Sequence, residues 1–382
     1  MKYKRVFLLV FDAFGIGGEE GINTLKNIKN KTDFYTPNLD KLGFNNLISN
    51  GNEDSDAYYA LSNTCSHSIN DLSNYGELFG LADINYNIKD FINTGFPPKM
   101  IKELEILLGH KIIGNVICNN PNTVIERLGE EATINKALII YTTSNSSLEI
   151  SYNEKLLKLN EGFKIGQKIR DFTMTNKEYL VSRVVVKPFK ESKNNYTFIE
   201  DFKYYYLDPP SKIYTEDMLK NKLDVISIGK ITSILNEKGI NRVIKTNKSN
   251  KDALNKLSNI MEKNFTGLCI TSIDEFSRAA KEKDFDYYKR LLEEFDVEVP
   301  LILNKLNNDD LLIITSVRGN DIIKQGFSYT KEALPVIIYS RIFNECKRLE
   351  DFKTIGDIAA TISSNFEITT PLFGKNIIDN LK

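Results

Sequence analysis

The sequence predicts an α/β fold with a doubly wound, mainly parallel sheet and a second, α+β unit inserted into it. Three observations carry that expectation. Several strand-length runs are apolar at nearly every position, as strands covered on both faces are. In the last 160 or so residues these runs alternate with amphipathic helical stretches, the signature of βαβ units. Between about 83 and 208 the pattern changes to strands with fewer crossover helices, which reads as an insertion.

The first strand is RVFLLVF (5–11), closed by the turn DAFGIGG. The apolar run after Lys2, Lys4 and Arg5 has the outline of a signal peptide, but it breaks at Asp12 and no small-residue cleavage site follows, so a strand explains it better. In the middle, PPKMIKELEILLG and TVIERLGEE read as helices, and ALIIYTT, SLEISY, YLVSRVVVKPF and FKYYYL as strands, with LDPPSK as the return linker. LDVISIGKI is then a strand and turn. NKDALNKLSNIMEKNF is a helix with Leu254, Leu257 and Met261 on one stripe, and TGLCITSID is a strand. FDYYKRLLEEFDVEVPLILNKL is a long helix with Leu291, Phe295, Val299 and Ile302 inward, kinked at Pro300. DDLLIIT and LPVIIYS are strands, and TIGDIAATISSNF is a helix. The expected organisation is a core in two parts, 1–82 and 209–382, with an inserted domain over 83–208.

Composition narrows the function. A net charge of -1 gives no field for nucleic acid or an anionic membrane surface. No apolar stretch approaches the ~18 residues of a membrane span. Four scattered cysteines without a C-x-x-C pair fit a reduced, cytoplasmic protein. Histidine is the sharpest count: His67 and His110 are the only two. Imidazole is the commonest metal ligand and general base, so any mechanism needing three histidines is excluded.

Read in order, RVFLLVFDAFGIG, GELFGL, NTGFPPKMI, IIYTTSNSS, VVVKPF, YYLDPPSK, DDLLIITSVRGND, YTKEALP and IGDIAATISSNF carry a family likeness. The chain resembles the phosphopentomutases, a cap-bearing branch of the alkaline phosphatase superfamily, along nearly its whole length. The resemblance implies an alkaline-phosphatase-type core, an inserted cap, two manganese ions held by aspartates and histidines, and a threonine that is phosphorylated during turnover. Two such ions clamp the attacking and leaving oxygens.

The chemistry implied by that resemblance is largely missing. Asp12 falls on the first metal aspartate. Where the family has Asp-His before Gly-Asn, this chain has Val317 and Arg318, and Tyr329 replaces a histidine. Counted back from Asp284, two further ligand positions hold Phe276 and Lys281, with Asp274 nearby as a displaced candidate. The threonine falls on Asp71, with Ser68 or Ser73 as neighbours in register. A polar loop before a helix explains that stretch without a nucleophile, since no base or metal activates it. Lys187 replaces an arginine for sugar phosphate, Phe198 and Phe202 stand where arginines are expected, Lys203 replaces a histidine, and Asn145 replaces a pocket aspartate. Lysine keeps the charge but loses the bidentate fork.

Other motifs count for less. Cys65, His67 and Asp71 could meet a zinc ion, but their spacing is equally that of a surface loop. His110 fits a helix end. The GKI and GIG segments lack the context of a phosphate loop.

The expected function is a phosphopentomutase-like pseudoenzyme with neither metal nor cofactor, its family's two manganese ions given up. Arg318, Lys281, Lys187 and Asn145 are the candidate anion-binding residues, and Asp12 and Asp274 the residual metal carboxylates. A phosphorylated sugar or other small anion, or a protein partner, is the expected ligand. The competing expectation is an active enzyme that interconverts pentose 1- and 5-phosphates through a remodelled site. Arg318 itself reads either as a salt bridge filling the former metal position or as a phosphate ligand there.

Overall fold

A computed structural model describes every residue except 20, 67–69, 82–86, 193–194, 248, 326–328, 369–372 and 382. The chain divides into two compact units: Met1–Ile84, Pro209–Lys324 and Tyr329–Lys382 form one, and Asn85–Asp208 with Gln325–Ser328 the other. In chain order the strands are β1 (Arg5–Phe11), β2 (Tyr58–Ser62), β3 (Ile112–Ile117), β4 (Leu138–Thr142), β5 (Ser147–Asn153), β6 (Arg183–Ser192), β7 (Asn195–Phe198), β8 (Lys203–Tyr206), β9 (Asp224–Ile228), β10 (Arg242–Ile244), β11 (Gly267–Ile273), β12 (Asp310–Ser316) and β13 (Leu334–Tyr339).

The first unit is built on a seven-stranded sheet in the order β10-β9-β11-β1-β12-β13-β2. The run from β10 to β12 is parallel, while β13 and β2 pair antiparallel at one edge. All seven residues of β1, β11 and β12 are buried, which is why their sequences are apolar without alternation. The α/β class and the mainly parallel sheet expected from the sequence are therefore present. The helices Asn250–Met261 and Phe285–Lys305 bury the predicted stripes against this sheet. At the start of β1 and β12, Arg5 grips Asp310 with Nε and Nη2 at 2.8 and 2.5 Å, a buried fork that ties the two strands.

Pro300 lies inside the helix Phe285–Lys305. It has no amide to give the carbonyl of Asp296. Asn38 Nδ2 donates to that carbonyl instead, at 3.2 Å, and the Asp296 carboxylate accepts from the amides of Asn38 and Leu39.

The second unit is a six-stranded mixed sheet, β3-β4-β5-β6-β7 with β8 also on β6. Pairings β3/β4 and β5/β6 are parallel and the others antiparallel. Its helix Leu159–Thr175 is absent from the elements read in the sequence. Gly162 and Gly166 obscure it, since glycine is a poor helix former. Packing explains both: a Cβ on Gly162 would meet the Tyr152 ring at 2.2 Å, and one on Gly166 would meet Tyr205 and Val186 at 2.4 Å. Among the described residues, no helix is long and apolar enough to cross a membrane.

Candidate functional site

The carboxyl ends of parallel strands are where α/β sheets gather functional groups. Here the register does this directly. Phe11 at the end of β1 is level with Ile273 of β11 and Ser316 of β12, so Asp12, Asp274 and Val317-Arg318 leave the sheet together. Ala13 takes a left-handed conformation (φ 64°), and the next amide, Phe14 N, donates to Arg318 O at 2.9 Å. Gly319 pairs with Thr330 through both backbone bonds, which brings Tyr329 to Arg318.

Arg318 is the hub. Its Nε donates to Asp12 Oδ1 at 2.7 Å and its Nη2 to Asp12 Oδ2 at 2.9 Å, a bidentate fork. Nη1 donates to Asp71 Oδ1 at 2.5 Å. The guanidinium lies over the Tyr329 ring, 3.6 Å from its centre, and Lys281 Nζ lies 5.1 Å from the same ring. Asp71 opens the helix Asp71–Leu78, behind the cap residue Asn70. It is buried and paired to a cation, rather than part of the polar loop that was the simpler sequence reading.

The sequence reading missed Lys230. It follows β9 by two residues, and its ammonium reaches Asp12 Oδ2 at 3.1 Å and Asp71 Oδ1 at 3.8 Å. The available signal was GK directly after an apolar strand, a position that the sheet order places beside β11. The segment lacks the glycine-rich context of a phosphate loop and supplies a strand-end cation instead.

The electrostatics follow from these contacts. Burial alone would raise the Asp12 pKa; Arg318 and Lys230 outweigh it and hold the carboxyl at about 2. Burial would lower Arg318 and Lys230, yet Asp12 and its neighbours hold both well above their ordinary values. Tyr329 sits below its ordinary value, since Arg318 and Lys281 overcome burial. Asp274 differs: burial pushes it to about 6 despite Lys230, and Asp12 adds to the rise. Ser272 Oγ donates to Asp274 Oδ2 at 3.1 Å, while Oδ1 is buried with no hydrogen-bond partner among the described residues.

These groups do not suit the two divalent ions that the resemblance implies. Both oxygens of Asp12 and one of Asp71 already accept from Arg318, and the ligand positions beside them hold Val317 and the Tyr329 ring. Phe276 packs in the aromatic core with Phe11, Phe14 and Tyr288. Among the described residues no three His, Cys, Asp or Glu side chains form a metal's donor set. A cavity of about 10 Å³, lined in part by Asn74, Arg318 and Lys331, holds about one water and is far too small for a phosphate.

The remaining candidates lie elsewhere. Ser73 is buried, and its Oγ accepts from Asn70 Nδ2 at 3.0 Å. Cys65 Sγ donates to Lys353 O at 3.7 Å, and His67 and Ser68 fall outside the described residues. His110 follows Gly109, which caps the helix Pro98–Leu108. In the second unit, Lys187 is buried and ion-paired to Glu149, which Thr143 also bonds. Its ammonium sits 5.5–5.9 Å from the rings of Tyr141, Phe198 and Phe202. Phe198 and Phe202, where the resemblance implies arginines, thus flank this lysine. Asn145 Nδ2 donates to Asp90 at 2.6 Å, and Lys203 Nζ lies over the Phe163 and Tyr205 rings.

Comparison with known proteins agrees with this architecture. The sequence matches the Metalloenzyme superfamily over residues 4–370. The PH0037 protein from Pyrococcus horikoshii shares the fold with a TM-score of 0.50 at 12% identity, over 96% of this chain and 98% of that one. Phosphoglycerate mutase of Leishmania mexicana gives a TM-score of 0.48 at 9% identity, over 98% and 97%. Alkaline phosphatase from the Antarctic bacterium TAB5 gives 0.38 at 12%, over 97% and 99%. The superfamily match spans nearly the whole sequence, and the chain belongs to the Metalloenzyme superfamily.

Proposed function

We propose that this chain is a phosphopentomutase-like pseudoenzyme, in which an internal cation stands where its relatives use metal ions. The observation that carries the reading is the Arg318 fork on Asp12, extended to Asp71. Two-metal phosphoryl transfer draws most of its catalysis from charge stabilisation and positioning. A guanidinium whose three nitrogens are bound to carboxylates offers neither an open coordination position nor a base. Asp71, at the nucleophile position, shares its oxygen with two cations, which weakens it as an attacking group. The retained role is binding; the resemblance suggests a phosphorylated sugar as the ligand class, and since the cavity beside Arg318 is too small for a phosphate, the sugar would be held outside that cluster.

Purified protein with added manganese should therefore interconvert ribose 1- and 5-phosphate no faster than the buffer blank. Ribose 5-phosphate should raise the melting temperature without being turned over. Clear turnover would favour the active, remodelled enzyme instead. An unshifted melting temperature would leave a protein partner as the better reading of the binding role.

A further inference from the structure

A groove of about 220 Å³ opens on the first unit, at the end of the sheet opposite Arg318. Tyr339 places it, since it pairs with Leu312 near the start of β12, whereas Arg318 follows the far end of that strand. Pro300 and Leu303 supply an apolar wall, and the half-buried Tyr339 ring supplies a flat one. Lys41, Arg341 and Asp56 stand on the rim, exposed. Among the described residues none of these three charges makes a salt bridge or side-chain hydrogen bond, although all line one groove. The backbones of Lys41 and Asp56 are joined, Asp56 N donating to Lys41 O at 2.7 Å, while their charged ends reach into solvent. Two cations stand against one carboxylate on the exposed rim, with the buried Asp296 carboxylate held on the Asn38 and Leu39 amides.

The wall is also held in place. Asn38 bonds the carbonyl that Pro300 leaves open, and Asp296 holds the first amides of the Asn38 segment. The short helix Pro37–Lys41, which carries Lys41, is thereby fixed to the helix carrying Pro300 and Leu303. Small-molecule sites combine such apolar walls with a few placed polar groups.

We infer that this groove binds a small organic anion, a phosphate or carboxylate on a flat apolar body. Lys41 and Arg341 take the anionic end, Tyr339, Pro300 and Leu303 take the body, and Asp56 accepts from a donor on the ligand. The inference is independent of the Arg318 cluster and of the reading given to it.

Phenyl phosphate, inorganic phosphate and benzylamine, titrated calorimetrically against the full chain, test it. Phenyl phosphate should bind saturably, and Arg341→Ala and Lys41→Ala should each weaken it by about five- to tenfold, the scale of one charge-assisted contact. Both side chains are exposed, so neither variant threatens the fold. Benzylamine should not bind. Absence of saturable phenyl phosphate binding, or binding indifferent to both substitutions, overturns the inference. Inorganic phosphate binding as tightly as phenyl phosphate overturns the assignment of an apolar body.

Discussion

Replacing Arg318 by methionine is expected to destabilise the protein by about 3–5 kcal/mol, the usual cost of removing one partner from a buried ion pair. Methionine nearly matches the length and apolar stem of arginine, so packing changes little and the loss reports charge. Without the guanidinium, Lys230 still reaches both carboxylates, its ammonium 3.1 Å from Asp12 and 3.8 Å from Asp71, but the bidentate fork is gone. Arg318→Lys should recover part of the loss, because an ammonium restores the charge but not the bidentate geometry. Urea midpoints for the three proteins measure the series. The pH dependence has a definite sign. In the native protein the Asp12 pKa is depressed to about 2, so its contribution is complete above the unfolded value of about 4 and fades as pH falls toward 2. In Arg318→Met the buried carboxyls lose their main cation and should titrate above their ordinary value, so the variant's deficit should begin to shrink between pH 7 and 4 and shrink further as the native Asp12 is protonated toward pH 2. Equal stability at pH 7 would mean that the cluster is indifferent to its central cation.

Asp274→Asn is expected to act in the opposite direction. Burial raises this carboxyl to about 6, so the folded state favours its protonated form. A raised pKa contributes stability that is fully present below the unfolded value near 4 and lost as pH rises through 6. At pH 7 and above, the charged Asp274 therefore costs stability, up to about 3 kcal/mol for a shift of roughly two units. Asparagine keeps the shape, removes the charge, and offers an amide in place of an oxygen that has no partner among the described residues. The substitution should stabilise the protein at pH 8 and change little at pH 4. Destabilisation at pH 8 would show instead that the Asp274 charge is needed by Lys230.

The sequence made some of this architecture visible and concealed the rest for physical reasons. Strands β1, β9, β11 and β12 are buried on both faces, so their apolar runs stand out without any knowledge of their neighbours. Asp12 and Arg318 were legible because each adjoins such a run. Lys230 was not, because its relevance depends on β9 lying beside β11, and sheet order is not written locally. The same holds for Asp71: the helix start was readable, but a carboxylate 247 positions from its guanidinium partner was not. Gly162 and Gly166 argued against a helix by propensity, and close packing on Tyr152 and Tyr205 overrode them. In the second unit, Lys187 read as a possible substrate cation; its Glu149 partner on the neighbouring strand emerges only from the β5/β6 register.

The central claim, that Arg318 has taken the place of metal ions beside Asp12 and Asp71, is tested most directly by titrating metal-free protein with manganese and following free ion by electron paramagnetic resonance. The account predicts that all added manganese stays free at micromolar protein and metal, and that chelator leaves the melting temperature unchanged. Saturable uptake of one or two ions per chain, with a chelator-sensitive melting temperature, would contradict it.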